Sequence, residues 1–236
     1  MKTNRIYNVF VQGDFANKSS GDLMKNHQSR RFQVVKNIHY SDVVVFTGGA
    51  DINPSIYTSR PLPSTHFWAK RDQEDLLAIK HSEGKALVGI CRGAQLLNCV
   101  PNGGTLWQDV DRHAGASHVV EDFVNKTKWS TNSLHHQMMR LGPGAELVAG
   151  CRLSSFKETY EERWNRSQAV EGEPDEIDPE VVWYEKTRSL LVQFHPEFGD
   201  RSTTEYFYEL VDRYLLPSLD RRWDKMTKSM NGDKDV

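Results

Sequence analysis

Apolar residues in the N-terminal half come in short unbroken runs stopped by glycine, and this pattern predicts strands alternating with helices. Residues 6–12 are a β-rich run ending at Gly13. Residues 14–30 are polar and poorly periodic, which predicts a loop with one helical turn at most, and residues 31–36 read as a second short strand. Residues 41–47 place β-branched and aromatic side chains consecutively, as a strand covered on both faces requires, and Gly48-Gly49 stops them. Leu76, Leu77 and Ile79 lie among charges in residues 72–81, which predicts a surface helix ending near Gly84. Residues 85–90 are the next buried strand. Residues 94–100 follow as a helix, stopped by Pro101 and Gly103-Gly104. Such alternation predicts a mainly parallel sheet flanked by helices.

Beyond Gly103 the pattern changes. Short strands are predicted at 146–149, 181–185 and 190–194, the last two joined as a hairpin through residues 186–189. Residues 157–180 are strongly charged, with six acids from Glu171 to Glu180, and read as a solvated insertion in preference to an acidic binding surface. Tyr206, Phe207, Leu210, Val211, Tyr214 and Leu215 recur at helical spacing, so residues 203–216 should pack on the core. Residues 218–236 lack an apolar period and read as a frayed, flexible tail after a single domain of residues 1–217.

A chain of 236 residues suits one α/β domain, and six Trp, ten Phe and eight Tyr supply apolar area for its core. No apolar run approaches the ~18 residues that cross a bilayer, and the N-terminus leads into a strand without a signal-like segment. A cytoplasmic protein off the membrane is expected. With 30 Lys+Arg against 32 Asp+Glu, the net charge of −2 offers no basic excess for a nucleic-acid partner. Cys91, Cys99 and Cys151 are an odd set without CxxC spacing, so they read as reduced thiols. His113, His135 and His136 have no helical HxxxH or Cys/His spacing, and no metal or cofactor is expected.

The sharpest chemical feature is Val88-Gly89-Ile90-Cys91-Arg92-Gly93-Ala94-Gln95. It puts a thiol where a buried strand turns into a helix, between glycines that a tight elbow needs. A helix N-terminus aimed at the sulfur favours the thiolate, and the N–H of Arg92 could hold a developing oxyanion. A thiolate nucleophile also needs a base and a group to orient it. Residues 191–197, Leu-Val-Gln-Phe-His-Pro-Glu, supply both: His195 at a strand end, and Glu197 able to reach back past Pro196 to fix its tautomer.

Together these segments resemble the class I glutamine amidotransferase-like superfamily, closest to its γ-glutamyl hydrolase branch, peptidase family C26, which includes γ-glutamyl-γ-aminobutyrate hydrolases. Residues 47–57 resemble that branch's GG-x-D-x-x-P-x-x-Y loop, Arg71-Asp72 its RD helix, and residues 102–108 its segment after the nucleophile helix. Residues 132–137, Asn-Ser-Leu-His-His-Gln, resemble its N-S-x-H-x-Q motif. The likeness covers roughly residues 41–200, with six motifs in the family's order. The segment before residue 41 is short for the family, so the helix that would cover one sheet face is expected to be missing or reduced. In this compact entry the chain is also similar to amidotransferase-like proteins carried by large phages.

The resemblance implies a flavodoxin-like three-layer α/β sandwich with a mainly parallel central sheet and a C-terminal β-hairpin carrying the catalytic histidine. It implies Cys91 as nucleophile, His195 as base and acid, Glu197 as its orienter, and Gly49 and Arg92 N–H groups as oxyanion hole. Gln95, Ser133 and His135 would bind the glutamyl moiety, while Arg71, Asp72 and Glu74 read as a structural ion-pair cluster. The activity so implied is hydrolysis of a γ-glutamyl amide through a glutamyl thioester. Alternatives are a glutaminase subunit passing ammonia to a separate synthetase partner, and an inactive binding module on the same fold. The amine leaving group and a homodimeric state stay open.

Overall fold

The computed structural model describes residues 5–13, 17–57, 59–164 and 177–232. The chain begins β1 (Tyr7–Gln12), α1 (Asn17–Lys25), β2 (Phe32–Val34), β3 (Val43–Phe46), α2 (Ala69–Lys80), β4 (Ala86–Ile90) and α3 (Arg92–Cys99). Short strands β5 (Thr105–Trp107) and β6 (Asp109–Val110) lead into a long hairpin, β7 (Ala114–Asp122) and β8 (Thr127–Leu134). Then come β9 (Met138–Arg140), β10 (Glu146–Cys151), β11 (Lys157–Glu158), α4 (Tyr160–Trp164), β12 (Asp178–Tyr184) and β13 (Ser189–Val192). Helices α5 (Arg201–Leu210) and α6 (Leu216–Gly232), joined by a π-helical turn, end the described chain.

Nine strands form one mixed sheet in the order β2-β1-β3-β4-β13-β12-β10-β7-β8. The pairings from β2 through β13 are parallel, and those from β13 through β8 are antiparallel. Period-two alternation divides the parallel strands between two cores. Val43, Val45, Val88, Ile90, Leu190 and Val192 pack with Leu23 and Met24 of α1 and with Tyr206, Phe207 and Leu210 of α5. Val44, Phe46, Leu87 and Leu191 pack on the opposite face with Ala94, Leu96 and Leu97 of α3. This is the three-layer sandwich expected of the chain.

Several elements depart from the sequence reading. Residues 17–25 are a nine-residue helix, not a loop, so the helix expected to be missing or reduced is present as a short one. Its Leu23 and Met24 are too few to give a periodic signal, but they cover Tyr7, Val9 and Phe32 on the sheet. The hairpin β7–β8 went unread because it forms the sheet's outer antiparallel edge, where Val119 and Leu134 face solvent and the polar residues dilute the apolar alternation.

Helix α2 buries Arg71, Asp72, Asp75 and Ala78 while Leu77 is exposed, so its charged face points inward. The segment 218–232 is helical where a frayed tail was expected. Leu216 and Leu219 are buried, Asp220 takes hydrogen bonds from Tyr7 Oη (2.6 Å) and Arg31, and Arg5 lies 3.3 Å over the Trp223 ring. Polar anchors to β1 replace the missing apolar stripe. The charged insertion is also not uniformly solvated: Lys157 and Glu158 pair with β6, and Glu158, Asp178 and Glu180 are buried. Its residues 165–176 lie outside the described residues.

Candidate active site

The site sits at the carboxyl ends of β3, β4 and β13, where open α/β sheets gather functional groups. Strands β4 and β13 are neighbours with Ile90 opposite Val192, and Cys91 N–H donates to Val192 O at 2.8 Å. Two segments far apart in sequence therefore end side by side.

Cys91 is the N-cap of α3 and has φ 50° and ψ −111°, a region a residue with a Cβ enters only under strain. The neighbouring glycines make this turn possible. A Cβ on Gly93 would lie 2.0 Å from Phe46 O, and one on Gly89 would lie 2.6 Å from Ala94 Cα. The elbow is thus wedged between the helix and strand β3. The thiol is buried, and it faces the helix end whose first N–H groups, beginning with Arg92, have no intrahelical acceptor.

His195 is buried beside it, close enough for Cys91 to act on its charge. Its Nδ1 lies 2.9 Å from Glu197 Oε1, which leaves Nε2 for the thiol. Burial opposes protonation of the imidazole. The hydrogen bonds and charges of Cys91 and Glu197 outweigh it and push the pKa up to about 10. Glu197, wholly buried in its side chain, thereby favours an imidazolium. The backbone of His195 is held from the other side. Asn132 Oδ1 accepts from His195 N–H at 2.8 Å, and Asn132 Nδ2 donates to His195 O at 2.9 Å. This two-way clamp was not anticipated for the asparagine of the 132–137 motif. Gly48 closes the third side, since a Cβ there would come 2.5 Å from His195 Cε1.

Gly49 has φ +152°, open to glycine, and its Cα hydrogens face Arg92 Cδ and Arg71 Nη1. The guanidinium of Arg92 turns away into a buried ion-pair group. Arg92 donates to Asp72 Oδ1 (2.6 Å) and to Asp75, and Arg71 Nε donates to Asp75 Oδ2 (2.9 Å). Arg71 Nη2 reaches Thr47 Oγ1 at 3.2 Å, and Asn53 N–H donates to Asp72 Oδ2 at 3.2 Å. The expected cluster of Arg71, Asp72 and Glu74 is corrected here: Asp75 takes the place of Glu74, which pairs loosely with exposed Lys70. The i,i+4 spacing of Arg71 and Asp75 could have revealed it, had the leucines not defined the helix face. These four charges bind α2 to the elbow and to the Gly48-Gly49 loop.

Gln95 is buried one turn into α3 and donates to Gln137 O at 3.0 Å. Ser133 Oγ donates to His113 O at 2.5 Å, and His135 Nδ1 lies 2.9 Å from Gln137 O. Ser133 and His135 thus turn into a buried polar group built on Glu180, while His136 bridges Asp51 (3.0 Å) and Asp109 (3.5 Å) nearer the surface. Burial and the flanking charges act oppositely on these rings: burial drives the His135 pKa down, whereas the hydrogen bond to Asp51 drives that of His136 up.

The fold is that of glutamine amidotransferase-like proteins. The structure of a GMP synthase subunit from Thermoplasma acidophilum superposes with a TM-score of 0.59 at 13% identity, covering 94% of this chain and 98% of that one. The peptidase C26 family model matches residues 23–197, and the chain belongs to that family. A glutamine amidotransferase-like protein, a YvdE homolog of Lactococcus lactis subsp. cremoris, is 32% identical over 130 residues, which span 44% of this chain and 68% of that protein. Protein NtpR of Enterococcus hirae is 27% identical over 187 residues, 69% of this chain and 70% of its own. Membership of this class carries the chemistry of glutamine-type amide hydrolysis or transfer.

Proposed function

We propose that this chain hydrolyses a γ-glutamyl amide through a thioester on Cys91, with His195 and Glu197 completing a Cys–His–Glu triad. The carrying observation is the strained φ of Cys91 at the head of α3, with His195 beside its thiol and tied to Glu197 at 2.9 Å. The sulfur attacks the δ-carbonyl carbon, and the N–H groups of Gly49 and Arg92 stabilise the oxyanion that forms. His195 Nε2 gives its proton to the departing amine as the C–N bond breaks. A water then loses a proton to His195 and attacks the thioester. Glutamate leaves, and the thiolate–imidazolium pair is restored. Gln95 contacts the glutamyl moiety. Ser133 and His135, whose partners lie within the protein, position the 133–137 segment that lines it.

The decisive experiment screens γ-glutamyl amides against wild type, Cys91→Ala, His195→Ala and Glu197→Gln, each checked for folding by circular dichroism. Turnover should vanish in the first, fall by about 10²–10⁴ in the second and survive best in the third, which only orients the base. Undiminished turnover in folded Cys91→Ala would end this account.

A second reading is a glutaminase subunit that passes ammonia to a separate synthetase, and the fold shared with the Thermoplasma GMP synthase protein favours keeping it. Ammonia release from glutamine that is negligible alone and rises on adding a synthetase partner would select it. Alkylation of Cys91 at an ordinary thiol rate, with no amide turned over, would instead select an inactive binding module.

A further inference from the structure

The antiparallel half of the sheet encloses a second cluster of reactive side chains that the proposed reaction does not use. His113 precedes β7, His118 lies on it, Cys151 ends β10, and Glu180 lies on β12. Strands β7, β10 and β12 are adjacent, with Gly150 opposite both Glu121 and Pro179, so their side chains converge. One nitrogen of each histidine, the Cys151 sulfur and a Glu180 oxygen all lie within 4.8 Å of one another.

The geometry points to a structural zinc site formed by His113, His118, Cys151 and Glu180. Zinc bonds of about 2.0–2.2 Å to N or O and about 2.3 Å to S put neighbouring tetrahedral ligands roughly 3.3–3.7 Å apart. Here Glu180 Oε1 lies 3.0 Å from His118 Nε2 and 3.4 Å from His113 Nδ1. The longest separation in the set closes with side-chain shifts of about 1 Å. Glu180 is wholly buried, and its Oε2 has no hydrogen-bond partner among the described residues. A buried carboxylate with an unmet oxygen, facing the imidazoles of His113, His118 and His135 and a thiol, has the donor set of a borderline-soft divalent ion; the nitrogen and sulfur donors disfavour magnesium and calcium.

The surroundings have the form that metal sites require. His113 Nε2 lies 3.2 Å from Asp178 Oδ2, which fixes its tautomer and turns Nδ1 toward Glu180. Asp178 is in turn held by Lys157 Nζ (2.7 Å) and by the N–H groups of Leu153 (2.9 Å) and Ser154 (2.8 Å). The thiolate and the Glu180 carboxylate offset the two charges of the ion, while Lys157 offsets Asp178. Binding releases the thiol proton of Cys151 and the protons that His113 and His118 share with Glu180 to solvent. Four protein ligands leave no open position, so the ion would join three strands and take no part in catalysis. Cys151 is only partly buried and gives the ion a way in.

The test uses the chelator-stripped full chain carrying Cys91→Ser, so that the active-site thiol is silent. Cobalt(II) should bind at one equivalent with a near-ultraviolet sulfur-to-metal charge-transfer band and the visible bands of a tetrahedral ion. Adding Cys151→Ser should abolish the charge-transfer band, and either Cys151→Ser or His118→Ala should weaken zinc at least about tenfold in competition with a chromophoric chelator. Should those variants fail to fold, X-ray absorption of the zinc-loaded Cys91→Ser protein decides: one sulfur at about 2.3 Å and three N/O ligands at about 2.0–2.2 Å support the site. Absence of stoichiometric zinc, or a charge-transfer band that persists in folded Cys151→Ser, overturns it.

Discussion

A proton on His195 is the most consequential single atom in the site. With its pKa pushed up to about 10, the imidazole stays charged through neutrality, the state that the proposed donation to a leaving amine requires. Titration of the His195 Cε1–H by NMR should show a midpoint near pH 10, and Glu197→Gln should move it down toward the ordinary 6.5. The sign for stability follows from the same shift. A group whose pKa is raised by folding stabilises the fold fully below the unfolded value of 6.5, and that contribution disappears as pH rises through about 10. The denaturation midpoint should therefore decline over that interval, and less so in Glu197→Gln.

Gly93 offers a second test at this scale. Glycine to alanine in a helix ordinarily gains about 1 kcal/mol. Here the added Cβ would meet Phe46 O at 2.0 Å, so the sign should reverse. Gly93→Ala should lose about 3 kcal/mol or fail to accumulate as folded protein, read from urea midpoints.

Between elements, the important joints are polar. The Arg71–Asp72–Asp75–Arg92 group fastens α2 to the elbow, and removing one partner would leave a charge stranded where none is solvated. Asn132 fastens β8 to the chain just after β13 through its two hydrogen bonds to the His195 backbone. Asn132→Ala removes both and should lower kcat about tenfold or more with little change in KM, in protein whose circular dichroism is unaltered. Asn132→Asp keeps the acceptor and loses the donor, and should recover part of the rate. A purely structural asparagine would instead change the unfolding midpoint and leave kcat alone.

Across the whole molecule, the C-terminal helix closes on the first strand. Asp220 of α6 accepts from Tyr7 Oη at 2.6 Å and from Arg31, tying α6 to β1 and to the residue before β2. Asp220→Asn should cost about 1–3 kcal/mol in urea unfolding while leaving amide turnover unchanged, because the joint lies at the amino-terminal start of β1, at the opposite end of the parallel strands from the Cys91–His195 pair. Among the described residues no helix is long and apolar enough to cross a membrane. Half of the central sheet is parallel and half antiparallel, and Cys91 and His195 stand at the β4–β13 join, the last parallel pair before the direction changes.

The sequence by itself determined the buried parallel strands and the elbow, because a strand hidden on both faces must be apolar throughout and a tight turn must be flanked by small residues. Residues 43–46, 86–90 and 189–192 stand where their composition put them, and Cys91 and His195 were legible from their glycine, proline and glutamate neighbours. Helices α1 and α6 were not, since each is held by a few contacts to distant segments and carries little periodicity of its own, and the β7–β8 hairpin was not, since its exposed edge position dilutes the apolar alternation. Only the tertiary structure decided that Asp75 joins Arg92, that Asn132 grips His195, and that His113, His118, Cys151 and Glu180 face one another. Those groups come from separate helices, strands and loops, and tertiary packing, which no local spacing records, is what brings them together.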